Sequence, residues 1–182
     1  MKRGSFLFLA LSVTSTLFVS GHARAFEREW HTGGGIGITA YPHYYSTGPA
    51  FGANAGYGLS DVFDLKLELL ASSHNYIPAS RTISQGRVPL SLAAGLSYKL
   101  DVLQWIPYAA LLVGYQHTAG AAPWTEPFRR DDALAAVVLG LDYAVTRNFG
   151  LGASVRADLL LTSPDQGEAV TTMLRAEYHW GF

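Results

Sequence analysis

The final stretch of the chain, Ala169 to Phe182, changes character at every residue, and this alternation is the strongest constraint on what the chain can fold into. Successive β side chains point to opposite faces. Val170, Thr172, Leu174, Ala176, Tyr178, Trp180 and Phe182 therefore share one face, and Thr171, Met173, Arg175, Glu177, His179 and Gly181 the other. One face is apolar and the other can ionise. A helix, with its period of 3.6 residues, does not separate the two sets. A soluble sandwich also buries one face of its last strand, but it has no reason to end on Tyr-x-Trp-x-Phe.

That ending resembles the C-terminal recognition signal of bacterial outer-membrane β-barrels. The resemblance implies that Tyr178, Trp180 and Phe182 form an assembly signal read by the barrel assembly machinery, with periplasmic chaperones as further partners. The opposite end agrees. Lys2 and Arg3, the apolar stretch Phe6 to Val19 and the Ala23-Arg24-Ala25 site describe a cleavable secretory signal peptide over residues 1–25, leaving one domain over 26–182. The apolar stretch is shorter than the roughly 20 residues of a spanning helix. Later apolar runs are broken within a few places by polar residues or glycine. In a membrane such a chain must be a closed barrel, because lipid offers no partner to an unpaired backbone group.

Composition narrows the class further. About 157 residues remain after residue 25, enough for eight spanning strands with their turns and loops and too few for a second domain. Charged residues are 15% of the chain, against about 25% in ordinary soluble domains. Removing Lys2, Arg3 and Arg24 takes the formal charge from -1 to about -4, and no basic run marks a nucleic-acid partner. The chain has no cysteine, which excludes disulfides and thiolate metal sites.

Eight alternating segments follow along the chain: Trp30 to Tyr41, Pro49 to Leu59, Phe63 to Ser72, Val88 to Tyr98, Trp105 to Tyr115, Ala133 to Tyr143, Phe149 to Leu159 and the C-terminal one. The third is the clearest, with Phe63, Leu65, Leu67, Leu69 and Ala71 outward and Asp64, Lys66, Glu68, Leu70 and Ser72 inward. The fifth is apolar on both faces in its middle, and Trp105, Ala109, Leu111, Val113 and Tyr115 are assigned outward. Turns near Asp61, Asp101 and Asn148 are short, whereas 42–48, 73–87, 116–132 and 161–168 are long and rich in Gly, Pro and Ser. This predicts an all-β, eight-stranded antiparallel transmembrane up-and-down barrel, with short turns and both termini periplasmic and longer loops outside. Trp30, Phe63, Tyr98, Trp105, Tyr143, Phe149, Trp180 and Phe182 form one aromatic girdle, and Tyr41 and Tyr115 mark the other.

The pattern resembles the small outer-membrane barrels of the OmpA and OmpX type over the whole mature chain. Pro107-Tyr108, Gly140-Leu141-Asp142-Tyr143 and Glu177-Tyr178-His179-Trp180-Gly181-Phe182 look like the generic outer-membrane protein barrel domain. The resemblance implies a bacterial outer-membrane location among lipid and lipopolysaccharide, and architecture without a particular activity.

Three sets of residues carry chemistry. Inward ionisable groups, Asp64, Lys66, Glu68, Asp142, Arg156, Asp158, Arg175, Glu177 and His179, are expected to form a salt-bridged plug, because isolated buried charges are costly and eight strands leave room only for side chains. Glu68 and Glu177 are the expected partners of Arg156 and Arg175, and His31 with His179 is expected to be a hydrogen-bonded pair. In the loop 116–132, Trp124, Phe128, Arg129 and Arg130 combine apolar anchors with guanidinium groups suited to lipopolysaccharide phosphates or a protein. His43, His74 and His117 fall on loops or their roots, where exposed histidines are expected rather than a Zn²⁺ site. Gly35-x-Gly37-x-x-Ala40 lacks the following helix that a dinucleotide site requires, so Gly33, Gly35 and Gly37 are read as space inside a strand. His43 with Ser46, and Ser73 with His74, lack the spacing and the acid of barrel lipid hydrolases. No catalytic residue, metal or cofactor is expected, and the role is structural or surface interaction, with a narrow pore for small or apolar solutes as the alternative.

Charge at Phe182 costs a folded barrel about 0 to 1 kcal/mol at the bilayer rim, too little to unfold it. Phe182→Asp is therefore expected to deplete the protein from the outer membrane of cells while the purified chain still folds into lipid. The readouts are membrane fractionation and the mobility difference between unheated and heated gel samples.

Overall fold

A computed structural model describes residues 28–42, 46–76, 85–100, 104–120, 131–162 and 168–181. Within them, alternation becomes nine strands: β1 (Trp30–Tyr41), β2 (Ser46–Gly58), β3 (Phe63–Ser72), β4 (His74–Tyr76), β5 (Gln85–Lys99), β6 (Trp105–Gly120), β7 (Asp131–Ala144), β8 (Phe149–Leu160) and β9 (Glu168–Trp180). β4 continues β3 after a break at Ser73, and both pair with β5, so the wall has eight positions. All pairings are antiparallel between neighbours around the ring. The ends of the chain meet in the wall, where β1 and β9 pair from Trp30↔Trp180 to Ala40↔Val170. The result is a closed eight-stranded barrel.

The two faces of that wall solve opposite solvation problems. Ile36, Ile38, Phe51, Leu65, Leu111, Val113, Leu139 and Leu174 lie exposed on the outside, as a lipid-facing surface requires. At the short-turn end the register sets Phe63 opposite Tyr98, and Trp105 opposite Tyr143, with ring centroids 5.3 and 5.0 Å apart. Trp30 packs on Tyr57 at 4.8 Å, and Tyr178 stacks on Trp180 at 6.1 Å. Tight turns over 59–62 and 145–148 link these strands, with Ser60 N–H and Thr146 N–H donating to the carbonyls of Phe63 and Phe149. The turn around Asp101 and the terminal Phe182 lie outside the described residues.

Three expectations are corrected. Strand structure takes over parts assigned to loops: β2 starts at Ser46, β5 at Gln85, β6 runs on to Gly120 and β7 starts at Asp131. The cause is cross-strand pairing, which continues through polar residues as far as Arg87↔Gly120 and His117↔Asp131. Tyr41 is not a girdle residue. It has the parity of Thr39, inward, and its hydroxyl meets Ser72 and Gln116. His74, expected to be exposed, is buried.

Inside, the wall divides into an apolar and an ionic part. Ala93, Ala110, Leu112, Leu134, Ala136, Val138 and Leu160 pack with Tyr108 into one cluster on β5 to β8. Tyr108, Ala110 and Leu112 in it are the inner face of the doubly apolar fifth segment. Ionic groups occupy the remainder. Glycine supplies the space for large rings: a Cβ on Gly140 would lie 2.3 Å from the Tyr108 ring, and one on Gly56 2.1 Å from His31 Nε2.

Gly140→Ala is thus expected to destabilise the barrel by about 1–3 kcal/mol through overpacking against Tyr108. Urea unfolding from lipid vesicles measures it, and unchanged stability would mean that the ring is free to swing aside.

Candidate functional site

The nine inward ionisable residues singled out above all lie in the lumen, on β3, β7, β8 and β9, where strand parity aims them at one another. Going from the short-turn end upward, His179 Nδ1 lies 3.0 Å from Glu29 Oε1. His31 Nε2 lies 3.2 Å from Asp64 Oδ2, and Lys99 pairs with the same carboxylate. His31 and His179 are not hydrogen-bonded to each other. Directly opposite in the β1–β9 register, they stack at 5.6 Å and 25°, leaving their nitrogens for carboxylates.

One layer up, Arg175 pairs with Glu177 and donates to the Tyr108 hydroxyl. Its Nε lies 3.6 Å from Asp142 Oδ1, and Asn54 Nδ2 donates to Glu177 Oε1 at 2.6 Å. The Tyr108 ring lies 4.7 Å from the Arg175 guanidinium and 4.5 Å from Lys66 Nζ, so its π face shares in satisfying two buried cations. Lys66 Nζ then reaches Glu68 Oε1 at 2.9 Å. Above that layer, Arg156 uses Nη1 on Glu68 (3.1 Å), Nε on Asp158 (2.7 Å) and Nη2 on Ser91 Oγ (3.3 Å). At the long-loop end Tyr41 reaches inward from β1, its ring edge-on to His74 at 4.8 Å and its hydroxyl near Ser72 and Gln116. A void of about 30 Å³ lies beside Arg156 and Arg175, room for a water molecule or two and not for a solute.

Glu29, Lys99, Tyr108 and Tyr41 were missed by the sequence reading as members of this network. Parity was the available signal, since Glu29 precedes His31 by two residues, and Lys99 has the inward parity of Ser97. Burial of this kind is tolerable only when paired.

The other candidates separate. His74 points inward, its Nε2 2.8 Å from Ser72 Oγ, whereas His117 points outward, its Nδ1 2.7 Å from Asp131. The wall stands between them, so these two do not share an ion, and His43 lies outside the described residues. Among the described residues no three His, Asp or Glu side chains are arranged around a metal position. Ser46 donates to the carbonyl of Asn75, which occupies it structurally, and Ser73 is exposed while His74 is buried. Gly33, Gly35 and Gly37 sit inside β1, where a Cβ on Gly33 would lie 2.7 Å from Glu177 Cγ. Trp124, Phe128, Arg129 and Arg130 lie outside the described residues.

The comparisons with known proteins address this architecture. A family model of the outer membrane protein beta-barrel domain matches residues 6–181. The chain belongs to that family. Among solved structures, Ail of Yersinia pestis, in complex with the heparin analogue sucrose octasulfate, is 18% identical over 85% of this chain and 99% of its own, with a TM-score of 0.61. OprG of Pseudomonas aeruginosa is 12% identical over 86% of this chain and 97% of its own, at 0.64. The outer membrane enzyme PagL is 13% identical over 81% and 98%, at 0.53. At these identities the likeness speaks to the fold, and the barrels sharing it include an enzyme. No curated protein matches the sequence significantly.

Removing one partner of a buried ionic network leaves uncompensated charge and costs about 3–5 kcal/mol. Arg156→Met is expected to lose stability on that scale by stranding Asp158 and leaving Glu68 with Lys66 alone. Equilibrium unfolding in vesicles is the check, and a loss below 1 kcal/mol would show that the network is hydrated rather than packed.

Proposed function

We propose that this outer-membrane barrel works as a surface-binding protein, non-catalytic and with a closed lumen, that presents its loops to a polyanionic glycan. The carrying observation is the unequal height of the wall. β6 has 16 residues and β5 15, whereas β8 has 12. With about 3.3 Å per residue and a tilt near 40°, β6 rises about 40 Å and β8 about 30 Å, against an apolar band of about 25 Å. Pairing persists to the top of the tall side, at His74↔Arg87 and Arg87↔Gly120. The top of β5, flanked by β4 on one side and β6 on the other and paired with both at Arg87, therefore forms a blade standing above the membrane.

The segments 77–84 and 121–130 are carried by that blade, and their sequences hold Arg81, Trp124, Phe128, Arg129 and Arg130. Guanidinium groups beside aromatic anchors suit sulfated or phosphorylated sugars, lipopolysaccharide included. The sucrose octasulfate bound to Ail, a barrel of similar fold, supports the same ligand class. In this reading the short-turn end and both termini are periplasmic, and the assembly machinery reads Tyr178, Trp180 and Phe182. The packed lumen speaks against the alternative of a narrow pore.

Arg129→Ala/Arg130→Ala is expected to abolish retention of the folded protein on immobilised heparin at low salt, and Trp124→Ala to weaken it. Unaltered retention in the arginine variant would overturn the loop reading.

A further inference from the structure

One polar cluster lies on the opposite side of the wall from the plug. On the outer face of β6 and β7, Asp131 Oδ1 accepts from the Tyr115 hydroxyl and, at 2.7 Å, from His117 Nδ1. All three side chains are about half exposed. His117 and Asp131 are direct register partners, and Tyr115 lies two residues below His117 on the same face.

The height of this cluster follows from the strand. Below it the outward residues of β6 are Trp105 at the aromatic girdle, then Pro107, Ala109, Leu111 and Val113. Ten residues separate Trp105 from Tyr115, a rise of about 25 Å, which matches the apolar band. Tyr115 thus stands at the upper edge of the hydrocarbon, and His117 and Asp131 stand one step above it, among lipid headgroups.

The chemistry of the three groups selects a ligand. Asp131 holds the imidazole by Nδ1–H, so in the neutral ring Nε2 carries a lone pair and accepts hydrogen bonds. The carboxylate, like the imidazole lone pair, accepts hydrogen bonds from hydroxyl donors. The half-exposed Tyr115 ring offers a flat apolar platform beside them. Acceptors next to an aromatic face match a sugar, with its hydroxyls on the edge and C–H groups on the face.

We infer that Tyr115, His117 and Asp131 form a docking site on the outer wall of the barrel for the sugar headgroup of an outer-leaflet glycolipid. This goes beyond the loop reading and rests on it only for the orientation of the barrel. The site holds a lipid against the base of the β4–β5–β6 blade, orienting the blade with respect to the membrane surface.

Native mass spectrometry of the full-length protein in detergent micelles titrated with lipopolysaccharide, phosphatidylglycerol or phosphatidylcholine tests this. Folding of each variant is checked by the mobility difference between unheated and heated samples. His117→Ala and Asp131→Asn are each expected to raise the lipopolysaccharide concentration for half-saturation about tenfold. Val88→Ala, an exposed apolar position on neighbouring β5, is expected to leave it unchanged, and phosphatidylglycerol adducts should be the same in all. Equal lipopolysaccharide binding by the variants and the unaltered protein overturns the site. Parallel loss of lipopolysaccharide and phosphatidylglycerol binding also overturns it, because charge and not sugar would then be recognised. Heparin retention of His117→Ala is expected to be unchanged, so failure of the loop reading and failure of this site are told apart.

Discussion

Backbone hydrogen bonding in a medium without water is the constraint on which the remainder of this structure depends. Each unpaired N–H or C=O in hydrocarbon costs several kcal/mol, so a sheet in lipid can have no edge. The β1–β9 pairing from Trp30↔Trp180 to Ala40↔Val170 removes the last one. Closure then fixes the inside and outside of every residue at once, because a slip of one place would turn Arg175 and Glu177 to lipid and Leu174 and Ala176 to the lumen. Strict alternation in the sequence and closure of the sheet are two descriptions of one requirement.

The narrow interior left by eight strands explains the second layer of organisation. With room only for side chains, charged groups must be packed against charged groups. Arg156 divides its donors among Glu68, Asp158 and Ser91, and Tyr108 lies beside both Lys66 and Arg175. An apolar cluster on β5 to β8 packs inside the same wall. With the interior occupied in this way, the proposed function falls to the rim, the blade and the outer wall.

Much of this was legible in the sequence, and the failures have physical causes. Strand count, closing pair and facing of each segment follow from a period of two over ten or more residues, which survives occasional exceptions such as Leu70 on the inner face of β3. Strand ends did not follow, because His74, Gln116 and Asp131 are polar residues whose place in the sheet comes from cross-strand pairing above the membrane and not from hydrophobic pattern. For Tyr41 the residue type, aromatic at a strand end, points to the girdle, and its parity, shared with Thr39, points to the lumen, where it lies. The inner charged residues were recognisable one by one, but their pairing depends on register between distant strands, as with Glu68 on β3 and Arg156 on β8. The outward Tyr115, His117 and Asp131 cluster was invisible for the same reason, since it exists only once β6 and β7 are aligned.

The account stands on a lumen filled by its own side chains, so the most direct test is electrical. The purified, folded protein reconstituted into planar lipid bilayers in 1 M KCl is predicted to give no discrete conductance steps at moderate voltage. Reproducible open-channel steps from protein verified as folded would contradict the packed interior and return the lumen to the centre of the function.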